Sequence, residues 1–237
     1  MELKIREIDS ASLDKIVDLH MRVLHEEFIT KLGKRFMRTY YLAFAESPYA
    51  VALMAEDGTN PVGALLGTLN PTRHYPWVVR NFGFRLFVDA IAEFLKQRAV
   101  AREFLRTRLV RYSTWFWRKV KNKLRTASRP SMETASAERT LQVADITHLW
   151  VYQSKHRIGT SLVMKYESIA RASGVTCVDL VTLPEELGGA APFYKKLGFQ
   201  ELGIRISRSG ERFVLCRKIL TSETRKTDDC PTHTFAH

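Results

Sequence analysis

Four groups of residues have the types and spacing to do chemistry. Near the C-terminus, Ala190-Ala191-Pro192-Phe193-Tyr194-Lys195-Lys196-Leu197-Gly198-Phe199 reads as the last turns of a helix with an outward Tyr, a Gly that ends it and a Phe that opens a strand. Gly198 stands where a left-handed cap is needed. Upstream, Val151 to Val163 has the form strand, short loop, Gly, helix. A phosphate favours that form, because backbone N–H groups and the positive helix end converge on it. Lys155, His156 and Arg157 could add charge-assisted bonds; an ordinary basic turn is the other reading. His148 lies in a strand and can accept a proton directly or through water, or serve structure alone. Strand alternation puts Ile146, His148 and Trp150 on one face and Thr147, Leu149 and Val151 on the other. Glu26 and Glu27 end the first helix, where a carboxylate can orient an amine or simply be solvated. No Ser-His-Asp order or Cys-His pair stands out. Cys177, Cys216 and Cys230 have no metal-ligand spacing, so no metal is expected. Cys177 and Cys216 sit in apolar runs and read as core.

These groups need elements to position them. Leu3–Ile8 alternates as a first strand. Helices follow at about Ala11–His25 and Gly33–Glu46. Val51–Ala55 and Val62–Leu69 form a hairpin around Glu56-Asp57-Gly58-Thr59-Asn60. After a break, Leu141–Val151 is a strand, Gly159–Ser173 a helix, Val175–Val181 a strand and Gly188–Leu197 a helix. Phe199–Ile206 and Glu211–Ile219 close as a hairpin. The expected fold class is α/β: a mixed, mostly antiparallel central sheet with flanking helices. Residues 1–70 and 141–220 make the core.

The break is a basic helical insertion, residues 71–126, between the third and fourth strands. Arg73–Arg129 holds 15 Lys and Arg against 3 Asp and Glu, an excess equal to the +12 of the whole chain. It also holds 11 of the chain's 25 aromatic residues. Residues 127–140 read as a connector and 221–237 as a disordered tail. No apolar run is long enough to cross a bilayer and no signal core opens the chain, so the expected compartment is the cytoplasm.

The Phe193-Tyr194 to Gly198-Phe199 segment, with the element order, resembles the GCN5-related N-acetyltransferase (GNAT) superfamily. The resemblance covers about Met1–Asn70 and Leu141–Leu220. It implies an acetyl-CoA-dependent N-acetyltransferase working by direct transfer on a small amine. Tyr194 would protonate the departing thiolate; a packed Tyr with a surface hydroxyl is the alternative. His148 is the other catalytic candidate. The fourth strand would offer backbone N–H groups near Leu149 and Val151 to the oxyanion. The cofactor loop would use Lys155, His156, Arg157, Ile158, Gly159 and Thr160. It resembles the family's Arg/Gln-x-x-Gly-x-Gly/Ala, with Arg157 at the first Gly and Ser154 at the Arg/Gln in an ungapped match. A match shortened by two residues is the other alignment. Glu26, Glu27 and Phe28 would lie at the acceptor loop. The opening from Leu19-His20 through Glu27-Phe28-Ile29-Thr30-Lys31-Leu32-Gly33 to Phe36 and Tyr40-Tyr41 is also similar to bacterial acetyltransferases of surface-polysaccharide and amino-sugar pathways. An amino sugar on a nucleotide or lipid diphosphate is then the favoured acceptor. The basic segment reads as a packed lid or as a platform for an anionic partner. That partner would be such a carrier, a membrane surface touched from the inner side or, less favoured, RNA. A noncatalytic module holding RNA or an anionic membrane is the competing function.

Overall fold

The computed structural model describes residues 3–25, 27–96, 142–152, 157–207 and 210–220. One compact unit comprises Met1–Glu93 and Leu141–Thr224; a second comprises Phe94–Thr140 and Arg225–His237 and, except for Phe94–Lys96, lies outside the described residues. The expected connector and tail, and the insertion beyond Lys96, therefore fall outside them. So do Glu26, Lys155, His156 and Cys230.

The seven strands are β1 (Leu3–Glu7), β2 (Ala50–Asp57), β3 (Asn60–Thr68), β4 (Val143–Val151), β5 (Cys177–Thr182), β6 (Gln200–Ile206) and β7 (Arg212–Ile219). They form one sheet in the order β1-β2-β3-β4-β5-β7-β6. Every pair is antiparallel except β4 and β5, which run parallel. The mixed, mostly antiparallel sheet expected from the sequence is thus present. Cys177 and Cys216 are buried within it, as expected of core residues.

Helices cover both faces. α1 (Leu13–Val23) and α2 (Gly33–Ala45) lie on one side. Their apolar stripes put Leu13, Ile16, Val17, Met37, Tyr41 and Phe44 against Met54, Leu66 and Trp150. The next helix, α3 (Pro71–Lys96), follows β3. Its start packs on α2, with the His74 ring 4.6 Å from Phe44. Further along, its buried Asp89 accepts from Thr39 Oγ1 at 2.7 Å. α4 (Ile158–Ala172) and α5 (Ala191–Lys196) lie on the other face. There Leu162, Val163 and Tyr166 pack with Leu53, Leu65, Ile146, Leu180 and Tyr194. Burying a side chain of this kind stabilises by roughly 1.5–3 kcal/mol.

α5 is shorter than the expected Gly188–Leu197 helix. A single 3₁₀ turn, Glu185–Leu187, precedes it and ends at Gly188, whose φ is 76°. Gly189 follows in close contact with backbone: a Cβ there would fall on the Leu183 carbonyl. Helix begins only where Pro192 takes its first turn, a position that needs no N–H donor. At the far end Gly198 has φ 86° and supplies the expected left-handed stop.

Candidate functional site

β4 carries the centre of the site, and its pleat is broken. Leu66 pairs with His148 but Gly67 pairs with Ile146, so Thr147 is an extra residue. A bulge of this kind reverses the alternation beyond it. Ile146 therefore joins Leu149 and Val151 on the α4 face. Asp145, Thr147, His148 and Trp150 go to the α1/α2 face: Thr147 Oγ1 donates to Asp145 Oδ1 at 2.9 Å, and Trp150 lies in that side's core. The sequence grouping of Ile146 with His148 and Trp150 is thereby corrected, since strict period-two counting runs through the bulge. Tyr166 of α4 holds the kink. Its one hydroxyl proton is shared between the carbonyls of Thr68 and Asp145, each 2.8 Å away. It can reach them because Gly67 leaves room: a Cβ there would stand 2.5 Å from the Tyr166 ring.

On the α1/α2 face, side chains of three elements are joined by hydrogen bonds. The Trp150 indole N–H can only donate, and it donates to Tyr41 Oη at 2.9 Å. The Tyr41 hydroxyl shares a hydrogen bond with His20 Nδ1 at 2.7 Å. His20 Nε2 stands 3.7 Å from Glu27 Oε2. That is too long for a hydrogen bond, so His20 acts on the carboxylate electrostatically. His148 approaches the same oxygen, with Nδ1 at 3.9 Å. Its Nε2 shares a hydrogen bond with the Tyr40 hydroxyl at 3.0 Å. Burial lowers the His148 pKa to about 4 and outweighs the opposing pull of Glu27, so the ring is neutral near pH 7. Burial alone would raise Glu27. The His20 and His148 imidazoles outweigh it, and the carboxyl titrates below its ordinary range. Glu27 is thus an ionised carboxylate whose side chain is 40% exposed, beside an imidazole that is 18% exposed.

On the other side, β4 and β5 run together only from Val143–Ile146 against Cys177–Leu180. Past Ile146 the two strands part. Tyr152 N–H bonds to Val62 O on β3 at 2.8 Å. By alternation, the amides of Leu149 and Val151 point away from β3, into the opening. The N-terminus of α4 lies beside them. Arg157 precedes it with φ 55° and ψ 28°, the one non-glycine with positive φ among the described residues. It holds the backbone shape that a glycine adopts freely, which favours the ungapped alignment. No side chain caps the helix, and its first turn holds no acidic residue. The first-turn amides of Ile158, Gly159 and Thr160 have no helix partner. Gly159 packs tightly, since a Cβ on it would stand 3.2 Å from the Phe193 ring.

Tyr194 follows Phe193 on α5 and is 6% exposed. Its ring packs between Phe193 and Phe199. Burial pushes its pKa well above the ordinary phenol value, so it stays protonated as a donor must. Its hydroxyl has no hydrogen-bond partner among the described residues.

The structure therefore brings His148 and Glu27 together, and separately Leu149, Val151, Ile158, Gly159 and Phe193. Phe28 lies in the turn between α1 and α2, one residue beyond Glu27. His20, Tyr40, Tyr41 and Trp150 escaped sequence reading as site residues. His20 and Tyr41 sit at apolar-stripe positions, and an adjacent Tyr pair on a helix was the one available signal.

No family model and no curated protein matches the sequence. Solved structures do match the fold. An aminoglycoside 6'-N-acetyltransferase complexed with coenzyme A superposes with a TM-score of 0.54 at 13% identity, covering 94% of this chain and 99% of that chain. An acetyltransferase of the GNAT family from Streptococcus pneumoniae gives 0.51 at 14% identity, over 92% and 99%. The ribosomal-protein-S18-alanine N-acetyltransferase from Escherichia coli gives 0.52 at 10% identity, over 96% and 100%. The chain has the GNAT acetyltransferase fold. Within the GNAT fold, the opening between β4 and β5 and the uncapped start of α4 occupy one face. The Glu27–His148 pair occupies the other.

Proposed function

We propose that the protein is an acetyl-CoA-dependent N-acetyltransferase acting by direct transfer on a small amine. The observation that carries this is the pairing, across one strand, of a backbone-amide opening with an ionised carboxylate. The uncapped α4 N-terminus with Arg157 would hold the pyrophosphate, and the sequence adds Lys155 and His156 to that loop. The Leu149 and Val151 amides would hold the thioester oxygen as it gains charge. Glu27 would attract and orient the amine, which attacks as its neutral form. Glu27 would then take, through water, the proton that the nitrogen sheds on bonding to the carbonyl carbon; a carboxylate of low pKa suffices, because the nitrogen of that adduct is strongly acidic. His148 is bonded through Nε2 to Tyr40 and faces Glu27 through Nδ1, so its part is to orient Glu27. Tyr194 would protonate the leaving sulfur.

An amino sugar is the acceptor favoured by the Leu19–Tyr41 segment. The charge of Arg73–Arg129, most of it outside the described residues, supports an anionic carrier or peripheral contact with an anionic membrane from the cytoplasmic side. Among the described residues no helix is long and apolar enough to cross a membrane.

The test is titration with acetyl-CoA followed by a thiol-release assay over a panel of amines. Saturable micromolar binding and amine-dependent thiol release are expected. No binding at millimolar acetyl-CoA would favour a noncatalytic module. For the carrier, KM for a diphosphate-linked amino sugar should rise with salt while KM for the free sugar changes little.

A further inference from the structure

Asp145, which is half-buried, differs from the three buried carboxylates of the described residues. Asp179 has Arg217 at 2.6 Å, Glu167 has Lys218 at 2.7 Å, and Asp89 has Arg35 at 3.4 Å. Asp145 has no cationic partner among the described residues. Its Oδ1 accepts from Thr68 Oγ1 at 3.0 Å and Thr147 Oγ1 at 2.9 Å. Its Oδ2 faces the Tyr75 hydroxyl at 3.5 Å, the outer limit of a hydrogen bond. One oxygen is thus held in place by two hydroxyls and the other is under-used.

The bulge at Thr147 turns this carboxylate to the same face as His148. Tyr75, at the start of α3, stands over it and is 46% exposed. Tyr40, bonded to His148, lies within electrostatic reach of both Asp145 and Glu27. Burial first, and those carboxylates with it, push the Tyr40 hydroxyl up. A carboxylate without a cation, one of whose oxygens makes only a 3.5 Å contact with a phenol hydroxyl, is a site for an organic ammonium, which gains a charge-assisted bond there.

We propose that Asp145 and Tyr75 form a second ammonium subsite on the same face as the Glu27–His148 pair, so that the acceptor, an amino sugar included, carries two amino groups, one held at Glu27 and the other at Asp145. This rests on the acetyltransferase reading and narrows its substrate. Burial raises Asp145 above the ordinary carboxylate range; a bound ammonium would bring it back down and replace the missing counter-ion.

The probes are 1,3-diaminopropane through 1,6-diaminohexane and the matching n-alkylamines. Wild-type protein should acetylate at least one diamine with a lower KM than its monoamine. Asp145→Asn keeps the oxygen that Thr68 and Thr147 need while removing the charge, so the fold should survive. It should raise the diamine KM by about tenfold or more and leave monoamine kinetics within about threefold of wild type. Tyr75→Ala, at a half-exposed position, should weaken the diamine in the same direction. Equal loss for diamine and monoamine, or no diamine preference in the wild type, would overturn the subsite. Calorimetric titration with 1,4-diaminobutane separates the two claims. Binding that Asp145→Asn abolishes supports the subsite even if no amine is acetylated, an outcome that would sink only the transfer reading. Absence of binding alongside monoamine turnover would sink the subsite and keep the enzyme.

Discussion

The two faces of β4 differ in the kind of group they present. Toward α4 and α5 it presents Ile146, Leu149 and Val151 to a hydrocarbon core, and the polar groups offered there are backbone amides and one phenol. Toward α1 and α2 it presents Asp145, Thr147, His148 and Trp150 to a network of ionisable side chains. One extra residue, Thr147, sorts them. Fixed amide dipoles suit a donor whose charge changes during transfer, whereas titratable side chains suit an acceptor that must lose a proton. The division gives each face its own variants to test.

The largest effect is expected on the donor face. Tyr194→Phe keeps the ring between Phe193 and Phe199 and removes the acid. Turnover should fall roughly 10²–10⁴-fold with acetyl-CoA affinity nearly unchanged. Full turnover, in conditions where chemistry limits the rate, would reduce Tyr194 to packing. On the acceptor face, Glu27→Gln should lower kcat about 10²-fold and raise the amine KM, again sparing acetyl-CoA. If His148→Gln were to cost more than Glu27→Gln, the roles assigned to the two would be reversed.

Gly159→Glu should act on the donor face alone. Its carboxylate opposes the anion expected at the α4 N-terminus, and its Cβ meets the Phe193 ring at 3.2 Å, so that ring must give way slightly. Acetyl-CoA Kd should rise about tenfold or more, with amine KM unchanged. Unaltered Kd in a folded variant would move the phosphate site off this helix.

The sequence revealed the donor face better than the acceptor face, for a physical reason. Gly198, the Gly159 helix start and the hairpins are local devices, each spelled by a few adjacent residues. Their partners lie close in sequence too, as Phe193 and Tyr194 show. The acceptor face is assembled by long-range bonds: Tyr40 to His148, Trp150 to Tyr41 and His20 to Tyr41 join three elements. Period-two counting failed at Thr147 because the bulge depends on Gly67 and Tyr166, and neither is adjacent to it. His20 and Tyr41 gave no site signal because their polar atoms meet only inside the core, where both side chains are fully buried. Arg157 is the opposite case. Its departure from glycine stood out in the sequence, yet the backbone keeps the glycine shape.

The smallest effect separates the faces by pH. His148 and His74 both belong to the α1/α2 side, and burial lowers each pKa to about 4 from an ordinary 6.5. His74 is fully buried, bonded through Nδ1 to Ser47 Oγ at 2.9 Å, with Nε2 unpartnered. Between pH 6.5 and about 4 the unfolded chain binds a proton at each ring that the native chain does not. Stability is therefore whole above pH 6.5 and falls as the pH drops, by at most about 1.4 kcal/mol per unit for each ring. A loss of 1 kcal/mol corresponds to roughly 2–4 °C of Tm at this chain size. His74→Asn can retain a bond to Ser47 and cannot take up the proton. It should lower Tm at pH 7, by loss of packing against Phe44, yet flatten the decline between pH 6.5 and 4.5 by about half. Thermal unfolding of both proteins across that range measures it. An unchanged slope would mean that His74 is protonated in the native state and that the acid-sensitive element of this face is His148 with Glu27.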